Sequence, residues 1–207
     1  MLRIHVFERD ARATAETGGA FLRLSQEQGY PHFIGTAMVY TGWALAQSGD
    51  AARGIQYCER GLAQLRIIGA KCWLPLFLAL LAECHELAGD GQGSAAAVEQ
   101  ALESVEATGE RIWESEIYRL KGKFLLGAGG NPDAAEACFV EALRKARGQQ
   151  AKLLELRAAV SLADLLKRKG RPAKAREALV PVFDSFTEGF DFIDLREAKV
   201  LLDTLAT

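Results

Sequence analysis

The chain has 207 residues, a length that suits one folded domain. Hydrophobic residues make up 49% and charged residues 25%, enough apolar side chain for a core, which excludes an intrinsically disordered chain. Twenty-five basic residues against 27 acidic ones exclude a globally basic, nucleic-acid-coating protein.

The first residues lack the charged, apolar and cleavage segments of a secretory signal. No uncharged apolar run approaches the ~18 residues of a membrane-spanning helix. The longest, Cys72 to Ala82, contains Pro75. Cys58, Cys72, Cys84 and Cys138 form no CxxC pair and read as reduced thiols of a cytoplasmic protein without a membrane partner.

The chain compares with itself. Gly49-Asp50, Gly89-Asp90, Gly130-Asn131 and Gly170-Arg171 recur at intervals of 40, 41 and 40 residues, and Gly29, Gly69 and Gly109 at intervals of 40. In chain order this predicts a partial repeat over 1–29 and full repeats over 30–69, 70–109, 110–150 and 151–189. A capping helix over 190–207 follows. Met1 to Arg9 aligns with the tail of a first helix and Asp10 to Gln28 with a second, so the chain is expected to open mid-repeat. Phe21, Leu22 and Leu24 would then be under-covered and drive a homodimer through the N-terminal end.

Each unit reads as a helical hairpin. In 111–148, Ile112, Trp113, Ile117, Leu120, Phe124 and Leu125 follow 3–4 spacing, as an amphipathic helix does. Gly129-Gly130-Asn131 stops it, and Pro132 suits the first turn of the next helix, where an N–H is not needed. Helices of about 16–18 residues are expected throughout. In the last helix Phe192, Leu195, Ala198 and Leu202 form an apolar face opposite a charged one, as a solenoid cap requires. Small residues recur where paired helices must approach. Gly42, Ala82, Gly122 and Ala163 fill one slot, and Gly54, Ser94, Ala135 and Ala175 a second. Gly61, Ala101 and Ala142 fill a third, which Val182 breaks.

Small residues at these slots, with glycine at the turn between helices, resemble the tetratricopeptide repeat, with a longer period of about 40. The stretches Glu116–Gly122 (EIYRLKG), Ala135–Phe139 (AEACF) and Leu154–Ala159 (LELRAA) carry a narrower likeness, as do Phe186–Asp191 (FTEGFD) and Leu195–Lys199 (LREAK). They resemble the C-terminal repeat region of bacterial predicted-ATPase regulators that also carry a class III adenylate/guanylate cyclase or a DNA-binding domain. The resemblance implies an all-α, right-handed α-solenoid of about five stacked hairpins acting in signal transduction. The ATPase or cyclase domains of such a parent would be its neighbours. The chain has no GxxxxGK[ST] loop and no cyclase residues, so neither activity carries over.

Catalytic chemistry is not legible. His5, His32 and His85 are scattered, and the adjacent Cys84 and His85 point about 100° apart on a helix, which disfavours chelation. Glu83 and Glu86 share a face without a nucleophile, and Gly91-Gln92-Gly93-Ser94 follows a helix rather than the strand a phosphate cradle needs. The expectation is therefore a non-catalytic chain with no metal and no cofactor. Charge is uneven: residues 111–176 carry fifteen basic and seven acidic side chains, densest over Lys167–Arg176. Helix-end cations explain this cluster, with an acidic partner surface as the sharper alternative. No aromatics interleave it, so a nucleic-acid partner is not expected.

In stacked hairpins the first helices line the concave side. Their inward places, the second, fifth, ninth and twelfth, hold Thr36, Val39, Trp43 and Ala46, then Leu76, Ala79, Glu83 and Glu86. The next two copies supply Glu116, Arg119, Lys123 and Leu126, and Arg157, Val160, Asp164 and Lys167. This predicts a partner groove, apolar in early repeats and charged in later ones, with Trp43 as a hot-spot candidate or a packing residue. The function expected is a protein-interaction scaffold that binds a protein or peptide segment. The alternative is a small-molecule sensor gating an attached ATPase or cyclase.

Overall fold

The computed structural model describes residues 1–127 and 130–205. Eleven helices and no strand occur among the described residues. They are α1 (Leu2–Phe7), α2 (Ala11–Glu27), α3 (Pro31–Gln47), α4 (Ala51–Ile67), α5 (Leu74–Leu87) and α6 (Gly91–Thr108), then α7 (Glu114–Gly127), α8 (Pro132–Gly148), α9 (Lys152–Arg168), α10 (Pro172–Phe183) and α11 (Ile193–Leu205). The chain divides into two compact units, Met1–Arg111 and Ile112–Thr207. No helix among the described residues is long and apolar enough to cross a membrane.

The glycine markers become helix ends. Among the described residues positive φ recurs about every 20 residues, at Arg9, Gly29, Gly49, Gly69, Gly89, Gly109, Gly130, Gln150 and Gly170, and at Gly189 in the loop between α10 and α11; Trp73 adds one position outside this spacing. Most of these ends share one hydrogen-bond pair. At Gly49 the residue's own N–H donates to the Ala46 carbonyl and the next N–H, of Asp50, to the Leu45 carbonyl. The same pair closes the helices at Arg9, Gly29, Gly69, Gly89, Gln150 and Gly170. This left-handed closure satisfies carbonyls the helix leaves orphaned, and glycine adopts it without a Cβ clash. Gly129 lies outside the described residues, as do the last two residues of the expected cap.

The second helices α2, α4, α6 and α8 start on a side-chain cap. Asp10, Asp50, Asp90 and Asn131 accept from the backbone N–H three residues on, at 2.8, 3.3, 2.9 and 3.0 Å. Arg171 holds this place before α10 and provides no such cap. Some helices are shorter than the period suggests. Helix α10 has 12 residues, and α5 and α7 have 14. Helix α7 begins at Glu114, because Ile112 and Trp113 lie in the turn before it; Ile112 is exposed as a result.

Within the first unit α1 packs on α2, α2 on α3, α3 on α4, and α5 on both α4 and α6; α3 also meets α5. In the second, α7 packs on α8, α8 on α9, and α9 on α10; α9 also meets α7 and α11. Each of the small-residue slots is buried. A methyl on Gly42 would lie 2.6 Å from the Gly54 carbonyl oxygen, and one on Gly54 would lie 2.6 Å from that of Gly42. Gly35 and Gly61 meet in the same way about two turns away, at 2.9 and 2.6 Å. Helices α3 and α4 thus touch backbone to backbone. In the second unit the equivalent Gly122 makes room for a ring, as its methyl would lie 2.4 Å from Phe139.

Helix α2 buries Thr14, Gly18 and Ser25, leaving Leu24 exposed and Phe21 and Leu22 half-buried. In α11 Leu195 and Ala198 are buried as expected, but Phe192 precedes the helix and is exposed. Asp194 of the same helix is buried.

Candidate functional site

The first helices place equivalent side chains side by side, and several of the expected groove residues are joined across that interval. In the first unit the Trp43 indole N–H donates to Glu83 Oε2 at 2.8 Å, and Gln47 Nε2 to the same oxygen at 3.2 Å. Trp43 and Val39 are buried, so neither is a surface contact in this chain. The expected hot spot is a packing residue whose N–H is satisfied by a carboxylate one repeat on. Thr36 and Glu83 are half-buried, and Glu86 is exposed.

In the second unit the same rows carry charge. Glu116, at the second place of α7, is buried and accepts from Arg119 Nε at 3.0 Å and Nη2 at 2.6 Å. Burial alone would raise its pKa. The Arg119 guanidinium, aided by the charges of Arg157 and Lys123, holds it instead at about 2. Arg157, at the second place of α9, is buried and bonds Asp194 of α11 with both arms, Nε to Oδ1 at 3.0 Å and Nη2 to Oδ2 at 2.8 Å. At the twelfth place Lys167 Nζ donates to Thr204 Oγ1 at 2.7 Å. Arg119 and Lys123 are half-buried and Lys167 is exposed.

The row continues into an open cleft of about 550 Å³ between α9 and α11. Val160, Ile193, Val200 and Leu201 supply its apolar surface, and Asp164, Lys167, Arg196, Glu197 and Thr204 its polar surface. Val200 is 65% exposed, an apolar side chain on the accessible face of α11. Of the expected groove residues, Val160, Asp164 and Lys167 line this cleft.

Half of the basic cluster is engaged in internal ion pairs. Lys169 pairs with Asp133 at 2.6 Å and Glu136 at 2.7 Å, Arg171 with Glu136 at 2.9 Å, and Arg168 with Asp164 at 2.5 Å. The cations hold the Asp133 and Glu136 carboxyls below their ordinary range. Pairing to α8 thus engages Lys169 and Arg171, and Arg168 is paired within its own helix, three of the six cations in the cluster.

His85 Nδ1 lies 2.8 Å from Asp90 Oδ2 at a hairpin turn, while Cys84 is buried with its Sγ 3.8 Å from that of Cys58. Among the described residues no group of three or more His, Cys, Asp or Glu side chains is placed to hold a metal ion. The sequence reading missed Asp194. It lies 37 residues after Arg157, short of the 40–41-residue spacing of the second places, so the period alone does not point to it.

No protein-family profile matches the chain. It is 32% identical over 131 residues to the uncharacterized protein R02095 of Rhizobium meliloti (strain 1021), a match that covers 63% of this chain and 13% of that protein. The chain thus spans a small fraction of the length of the curated relative it matches.

Proposed function

We propose that this chain is a non-catalytic, tetratricopeptide-like module of a bacterial signalling protein that binds a partner segment along its first helices. In this reading the hairpins number about five, stack as a right-handed solenoid and end in α11 as a cap. The observation that carries the binding role is the cleft between α9 and α11. Its apolar residues Val160, Ile193 and Val200 are flanked by charges of both signs, which suits an amphipathic peptide. The helix ends repeating about every 20 residues support the repeat architecture. The likeness to a small part of a longer bacterial protein fits a module within a larger regulator.

Selection of peptides from a random display library against the purified chain tests the binding role. Enriched peptides should share apolar residues at helical spacing, and Val200→Glu should abolish their capture while leaving the thermal melt unchanged. Failure to enrich any peptide, or enrichment insensitive to Val200→Glu, would overturn this reading.

A further inference from the structure

A second cavity, of about 390 Å³, lies in the first unit, within the ~300–1,000 Å³ typical of small-molecule sites. Its walls are aromatic: Phe21 from α2, Phe33 and Tyr40 from α3, and Trp73 from the turn before α5. Phe21 and Phe33 stand 5.6 Å apart, centroid to centroid.

Two of its features are unusual. Trp73 has φ +64°, a left-handed conformation costly for a bulky residue. Its backbone N–H donates to Glu110 Oε2 at 2.9 Å, which fixes the turn. The outcome is an indole face turned towards Arg3, whose Cζ lies 3.8 Å from the ring centroid. Arg3 is exposed, and no carboxylate lies among the cavity-lining residues. The lining residues therefore carry positive charge, and the Glu110 carboxylate that holds the Trp73 N–H lies outside the lining but within electrostatic reach of Tyr40.

Other polar groups lie nearby. Thr36 lines the cavity, and its hydroxyl has no hydrogen-bond partner among the described residues. The Tyr40 phenol also lines it. Burial pushes its pKa up while the Arg3 charge pulls the other way, which places that guanidinium within electrostatic reach of the phenol.

We infer that this cavity is a binding site for a small aromatic carboxylate, its ring held between Phe33 and Trp73 and its carboxylate by Arg3. Aromatic walls favour a planar ring through offset or edge contacts. The guanidinium can give a carboxylate two parallel N–H donors, which the Trp73 face cannot use. The cavity shares no residue with the cleft between α9 and α11, so the inference stands or falls apart from the peptide-binding role.

Isothermal titration of the full chain with 1-naphthoate, 1-naphthalenemethanol and cyclohexanecarboxylate separates the requirements. The expected result is one-to-one binding of 1-naphthoate. The neutral alcohol and the non-aromatic acid should each bind at least about tenfold more weakly. Arg3→Gln, at an exposed position, should weaken 1-naphthoate about tenfold or more with an unchanged thermal melt. Phe33→Leu keeps apolar bulk and removes the ring, and should also weaken it. Absence of 1-naphthoate binding at millimolar concentration, equal affinity for the alcohol, or affinity insensitive to both substitutions would overturn the inference.

Discussion

The two units use one repeat interval with opposite chemistry. In the first, α3 and α4 meet through Gly42, Gly54, Gly35 and Gly61, and the inner row is closed by buried Val39 and Trp43. In the second, Gly122 faces the Phe139 ring, and the inner row carries the Glu116–Arg119 and Arg157–Asp194 pairs, largely out of water. The spacing of helix ends determines which side chains become neighbours. The residues at those places then determine whether the neighbours are joined by close packing or by charge. A row of equivalent positions is thus first a structural seam, and leaves apolar surface open only where no neighbour covers it, as at the exposed Val200.

The buried pair in the second unit should give the largest effect. Arg157→Met leaves Asp194 buried without its cation, and should cost about 3–5 kcal/mol in urea unfolding. Replacing both residues, Arg157→Met with Asp194→Leu, removes the stranded charge and should recover most of that loss. A double variant as unstable as the single one would show that the pair holds α9 to α11 by geometry that apolar packing cannot replace.

Acid should separate the units next. Glu116 titrates lower in the folded chain than in the unfolded one. Its stabilisation is therefore complete above the ordinary carboxylate range, and is lost as pH falls from there towards about 2. The loss is of order 3 kcal/mol, from 1.36 kcal/mol per pKa unit. Glu116→Gln should be less stable at neutral pH yet lose less on acidification, measured by urea melts across that interval. Parallel pH profiles for the variant and the parent chain would remove Glu116 as the source.

The glycine seam of the first unit comes third. Gly42→Ala puts a methyl 2.6 Å from the Gly54 carbonyl oxygen and 2.9 Å from the Cys58 backbone N, backbone atoms that cannot yield without moving a helix. Overpacking of this kind costs about 1–3 kcal/mol. Thermal unfolding should show that loss, whereas Gly127→Ala, whose methyl would meet nothing within 4 Å, should not.

Much of the helical order was legible because each end carries a local chemical mark. Glycine supplies the left-handed closure, and Asp or Asn the following cap, so hairpin ends follow from residue type alone. The small-residue slots were legible for the same reason, since only close approach explains glycine or alanine recurring at one place in a hairpin. The candidate site was less so. Periodicity placed Trp43, Glu83, Arg157 and Lys167 on the inner rows, but could not tell a residue facing water from one facing its neighbour. Asp194 looked like solvated charge because its burial depends on Arg157, 37 residues away. The aromatic cavity was not legible at all. It joins α1, α2, α3 and the turn at Trp73, whose left-handed backbone no residue type announces.

The smallest effect tests the helix-end rule where the sequence departs from it. Gln150 occupies the place of the recurring glycine, with φ +54° and the same hydrogen bonds: its N–H to the Arg147 carbonyl, and that of Ala151 to the Ala146 carbonyl. The backbone closure is therefore intact, and the side chain bears the conformational cost. Gln150 is exposed, so its removal should sacrifice little packing. Gln150→Gly relieves the Cβ clash but increases the freedom of the unfolded chain, and these terms partly cancel. A net gain of up to about 1 kcal/mol should follow, or a melting temperature about 2–4 °C higher. Gly170→Ala, at the equivalent end of α9, should shift it by a similar amount in the opposite direction. If Gln150→Gly lowers the melting temperature, the glutamine side chain stabilises its turn by more than the left-handed backbone costs, and the glycines elsewhere cannot be explained by φ alone.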